Sequence, residues 1–116
     1  MKVHDIMTIN PETLDINTLV SSIKGKRLRY PVTKNGLFCG VITQADLNRL
    51  NASDSDTIER YMVQKPFTTH PDIEVSTLVA AMKAAPYPIK FVPVINYGFV
   101  VGVLTQDSLS HNLQIE

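Results

Sequence analysis

Gly36-Leu37-Phe38-Cys39-Gly40-Val41-Ile42-Thr43-Gln44-Ala45-Asp46-Leu47 returns sixty-two positions later as Gly98-Phe99-Val100-Val101-Gly102-Val103-Leu104-Thr105-Gln106-Asp107-Ser108-Leu109. Each copy reads as an apolar strand that reaches a threonine and then turns into a helix. Upstream, Ile16, Leu19, Val20 and Ile23 reappear as Val75, Leu78, Val79 and Met82, both spaced i, i+3, i+4, i+7. That spacing predicts amphipathic helices over about Asp15 to Lys24 and Glu74 to Ala84. Two copies of one unit imply a pseudo-two-fold molecule, and the seam between such units is a natural ligand cleft.

The chain has 116 residues, and half of that would bury too little surface to be stable alone, so the copies are expected to share a core. With 44% hydrophobic and 19% charged residues it has a globular composition. It contains no stretch long enough to span a bilayer and no signal-peptide pattern, which reads as a cytoplasmic protein. The single cysteine, Cys39, lies in an apolar run and reads as a small buried hydrophobe. Eleven basic residues balance eleven acidic ones, which argues against nucleic acid or an anionic membrane as partner. Lys24, Lys26, Arg27 and Arg29 form the one local cationic cluster.

Hairpins are expected in both copies. Arg29 to Thr33 and Leu37 to Thr43 flank Lys34-Asn35-Gly36, and Lys90 to Ile95 and Phe99 to Thr105 flank Asn96-Tyr97-Gly98. Short helices follow Thr43 and Thr105. Brief helical turns lead in at Val3 to Met7 and Ile58 to Met62, and Asn51 to Asp56 is the one polar stretch that reads as a linker. The resulting fold class is α+β, with two βαββα repeats over residues 1–52 and 53–116.

These features resemble a pair of cystathionine-beta-synthase (CBS) domains, also called a Bateman module. Asp5-Ile6-Met7-Thr8 with Pro11 matches the family's opening phrase, and Tyr30-Pro31-Val32 and Val92-Pro93-Val94 match its strand phrase. Gly40-Val41-Ile42-Thr43-Gln44-Ala45-Asp46 matches its strand-to-helix signature. The resemblance implies two repeats packed sheet to sheet with helices outside, and clefts that bind AMP, ADP, ATP or S-adenosylmethionine. It implies that Asp46 holds the ribose hydroxyls, that Thr43 sits by ribose or phosphate, and that Arg29 meets the phosphate, or Lys90 if the opposite repeat supplies that contact. Tyr30, Pro31 and Ile42 complete the expected site in the first copy, and Thr105 and Asp107 mark its counterpart in the second. There the signature ends in Ser108, and Phe91 stands where Arg29 stands in the first copy.

The residue chemistry agrees. A carboxylate can accept from both hydroxyls of a ribose diol, and a phosphate suits the unpaired N–H groups where a helix starts. Thr43-x-x-Asp46 also reads as an ordinary helix cap, and the two roles are compatible. His4, His70 and His111 lie far apart and away from metal-ligand spacing, and no phosphate-binding glycine loop is present, so the chain reads as a non-enzyme that needs no cofactor or metal. Two functions follow: a regulatory module sensing an adenosine nucleotide and acting on a protein partner in trans, or a ligand-free scaffold that pairs into homodimers through its helices.

Overall fold

A computed structural model of the chain describes residues 1–26 and 29–113. In chain order the elements are α1 (Val3–Ile6), β1 (Thr8–Ile9), β2 (Leu14–Asp15), a 3-10 turn at Val20–Ser22, β3 (Arg29–Lys34), β4 (Leu37–Thr43) and α2 (Gln44–Arg49). A second 3-10 turn at Ile58–Arg60 follows, then β5 (Val63–Gln64), α3 (Val75–Ala84), β6 (Phe91–Asn96), β7 (Phe99–Thr105) and α4 (Gln106–Leu113). The fold is mixed α+β.

The two hairpins are near copies in register as well as in sequence. Arg29 faces Thr43 and Tyr30 faces Ile42, as Phe91 faces Thr105 and Val92 faces Leu104. Each ladder carries an irregularity at the same point, between Val32 and Thr33 and between Val94 and Ile95. Both tips place two residues in the left-handed region, Asn35 at φ 53° with Gly36 at 82°, and Tyr97 at 52° with Gly98 at 85°. That is the two-residue turn whose twist matches the strands. Tyr97 is an ill-suited occupant, because an L-residue other than Asn or Gly pays about 1 kcal/mol or more there. The residue is 91% exposed, so little packing would be lost on replacement. Tyr97→Asn is expected to raise the melting temperature by roughly 4 °C; a lower melting temperature in differential scanning calorimetry would contradict this account.

The chain forms two compact units, one of Glu12–Pro66 and one of Met1–Pro11 with the chain from Phe67 onward. In the first, the strand order is β2-β3-β4-β5, with β2 parallel to β3 and β5 antiparallel to β4. Ile16, Val20, Ile23, Tyr30, Val32, Ile42, Leu47 and Ile58 make its core. In the second, the order is β1-β7-β6, and Val3 joins Val75, Leu78, Val92, Val94, Leu104 and Leu109 in the core. The packing units therefore differ from the sequence repeats. The lead-in Met1–Pro11 lies with the later hairpin, and the lead-in that ends in β5 lies with the earlier one.

Two local expectations are corrected. Asp15 to Lys24 does not form a helix; only Val20–Ser22 is helical, as a 3-10 turn. Its apolar positions still point inward, since Ile16, Val20 and Ile23 are buried. The intervening residues oppose a helix: the Asp15 carboxylate accepts the Asn17 N–H at 2.9 Å, the Ser22 hydroxyl donates to Leu19 O at 2.7 Å, and Gly25 follows at φ 74°. By contrast α3 runs over Val75–Ala84 with three alanines and Glu74 at its N-cap position. The second correction concerns Asn51 to Asp56, which is not a free linker. Val20 N–H donates to Asp56 O at 2.9 Å, Ser21 N–H to Asp54 O at 3.2 Å, and the Tyr61 hydroxyl to the Asp56 carboxylate. The backbone acceptors of this segment satisfy the N–H groups that the abbreviated helix leaves unpaired.

Candidate functional site

Thr43 ends β4 and caps α2. Its Oγ1 accepts the Asp46 N–H at 3.0 Å, and its hydroxyl donates to Asp46 Oδ2 at 2.8 Å. Arg49 Nη2 donates to Asp46 Oδ1 at 3.1 Å from one helical turn further on. The Asp46 side chain is 12% exposed and that of Arg49 66% exposed, so a nearly buried carboxylate is met by a guanidinium that stands mostly in solvent. Leu47, in the core, fixes the helix from its inner face, and Gln44 Nε2 donates to Ile23 O at 2.6 Å. The corner is thus anchored from several directions.

Arg29 pairs with Thr43 across the ladder and so shares its face of the sheet. Pro31 and Val41, the next pair on that face, are buried. Tyr30 and Ile42 point the other way, into the core, which makes them structural side chains under the corner. Lys24, expected in the cationic cluster with Lys26, Arg27 and Arg29, is paired with Asp54 at 2.6 Å; Arg27 lies outside the described residues.

The later unit repeats the corner without the charge. Ser108 N–H donates to Thr105 Oγ1 at 3.2 Å, and the two hydroxyls lie 3.0 Å apart. Ser108 stands where Asp46 stands, whereas Asp107 is exposed. Lys90 is exposed just before β6, and its carbonyl accepts the Gln106 N–H at 3.2 Å. That unit also holds a groove of about 420 Å³ bordered by Phe67, Thr69, Ile73, Leu78, Ala81 and Ile95, and none of the expected site residues lines it.

Among the described residues no group of three or more His, Cys, Asp or Glu side chains is placed to hold a metal ion. Burial pushes the Cys39 thiol up, with Glu59 and Asp15 adding to the effect. A thiol held in its protonated form is a poor nucleophile.

Arg49 was absent from the residues expected at the site. The signal for it is the Asp-x-x-Arg spacing, which on a helix brings the two side chains together one turn beyond the motif.

A model of the CBS domain matches the chain twice, over residues 3–53 and 58–114. The chain belongs to the CBS domain family. The CBS domain pair of protein MJ0100, solved in complex with 5′-methylthioadenosine and S-adenosyl-L-methionine, is 29% identical with a TM-score of 0.81, covering 98% of this chain and 96% of that one. CBSX2, solved in complex with AMP, has a TM-score of 0.80 at 18% identity, over 98% of this chain and 97% of that one, a likeness that shows the fold. Among curated proteins, L-aspartate semialdehyde sulfurtransferase of Methanocaldococcus jannaschii is 31% identical over 115 residues, which is 93% of this chain and 22% of that protein. This CBS pair therefore spans about a fifth of that relative's length. No helix among its described residues is long and apolar enough to cross a membrane.

Proposed function

We propose that this CBS pair is a regulatory, non-catalytic module that senses an adenosine nucleotide, AMP, ADP or ATP, through the corner formed by Thr43 and Asp46. The observation that carries this reading is the contrast between the two corners. Thr105 and Ser108 make the same cap with a neutral hydroxyl, so capping does not need a carboxylate at this position. At the first corner the carboxylate is present and nearly buried. A carboxylate offers about four acceptor positions, and Thr43 and Arg49 use two of them. The remainder suit a ribose diol, whose two hydroxyls would donate charge-assisted hydrogen bonds. Both ligands in the MJ0100 complex carry an adenosine ribose, which supports the same class of ligand here.

Thermal unfolding tests the reading. A ligand at a hundredfold excess over its dissociation constant is expected to add about 2.7 kcal/mol of stability. Asp46→Ser, which copies the second corner, is expected to abolish that shift while changing the ligand-free stability by no more than about 1 kcal/mol. Unchanged melting with AMP, ADP, ATP and S-adenosylmethionine alike, or a shift that survives Asp46→Ser, would defeat the proposal.

A further inference from the structure

Arg49 holds Asp46 Oδ1 at 3.1 Å, yet two thirds of its side chain is in solvent. Its contact with the carboxylate runs through Nη2, and the rest of the long side chain reaches into solvent. We propose that Arg49 sets the charge preference of the corner, selecting adenosine ligands with an anionic 5′ substituent over neutral or cationic ones. This rests on the reading that Asp46 anchors a ribose.

Ribose hydroxyls that take the acceptor positions left open on Asp46 come to lie beside the guanidinium on Oδ1. That guanidinium presents a planar set of donors beside the ligand. A phosphate on the same ligand can accept from the donors that face solvent, in a charge-assisted contact. A neutral 5′ group offers no such contact. A sulfonium would bring a like charge toward the guanidinium. Arg29, on the same sheet face as Thr43, adds a second cation at the corner. At the other corner Ser108 replaces Asp46 and so supplies no carboxylate to hold a guanidinium in this way.

The test is isothermal titration of the full chain with three ligands that share the adenosine ribose: AMP, 5′-methylthioadenosine and S-adenosylmethionine. Wild type is expected to bind AMP about ten- to a hundredfold more tightly than 5′-methylthioadenosine. Arg49→Gln is expected to remove that preference by weakening AMP alone, and to leave S-adenosylmethionine unchanged or tighter. Equal losses for all three ligands would show that Arg49 only steadies Asp46, and an unaltered AMP preference would show that it takes no part; either overturns the inference while the ribose anchor stands. Absence of binding by any of the three to wild type, with no shift on melting, removes the anchor and the inference together.

Discussion

Gly40→Ala is expected to lower the melting temperature by roughly 10 °C or more, corresponding to about 3 kcal/mol. Gly40 does not need left-handed freedom. It is glycine because the neighbouring strand β5 passes close beside it: a Cβ there would lie 2.6 Å from the Val63 carbonyl oxygen and 3.2 Å from Met62 Sδ. A carbonyl in a paired strand cannot rotate aside without giving up the Gly40–Gln64 pairing. The counterpart Gly102 grades the effect. Its Cβ would meet Met7 Sδ at 2.5 Å and Cγ at 2.8 Å, with Thr8 O at 3.0 Å, so the nearest obstacle there is a flexible side chain. Gly36→Asn serves as the mild member of the series, because nothing lies within 4 Å and Asn tolerates its φ of 82°. Calorimetry should rank the losses Gly40→Ala, Gly102→Ala, Gly36→Asn. Equal losses at the first two positions would mean that the carbonyl yields as easily as the methionine.

Val3→Asp is expected to unfold the unit that contains α3 and the β6–β7 hairpin. Val3 is fully buried among Val75, Leu78, Val92, Val94, Leu104 and Leu109. Its N–H donates to Ile73 O at 2.9 Å, and five residues on Thr8 pairs with Val103. An unpaired carboxylate in that cluster either stays charged at a cost of several kcal/mol or takes up a proton, and both outcomes draw on a total stability of about 5 to 15 kcal/mol. Hydrogen exchange reads out where the damage falls. Amides of Val75–Ala84 and Phe91–Thr105 should lose protection first, although the substitution lies some seventy residues earlier in the chain. Val3→Ala, which removes two methyl groups, should produce the same pattern at about 2 kcal/mol. Earlier loss in the Glu12–Pro66 unit would contradict the assignment of the lead-in.

The hairpins, the second helix and the Thr43–Asp46 corner were legible because each is written in a few consecutive residues. Alternation, a turn pair with Asn or Gly, and a cap with its following apolar stripe all act over one or two turns of chain. The first helix misled because its apolar spacing matches that of α3 while Ser21 and Ser22 stand where α3 has Ala80 and Ala81. Spacing reports which side chains face the core; it does not report whether the backbone between them coils. The role of Gly40 was hidden for a different reason, since the carbonyl that excludes a side chain comes from residue 63. The placement of the lead-ins was beyond local reading altogether. Two similar segments and two similar hairpins allow two pairings with nearly the same local pattern, and only contacts far apart in sequence decide between them.

Because Met1–Pro11 completes a unit whose remainder starts at Phe67, its partner strand β7 leaves the ribosome long after it does. At translation rates of about 5 to 20 residues per second, the wait lasts on the order of 5 to 20 seconds. Throughout that interval Val3, Ile6 and Met7 have no finished core to enter, whereas Glu12–Pro66 already contains all of its own strands. Assembly during synthesis therefore begins with Glu12–Pro66, and Met1–Pro11, made before it, settles after it.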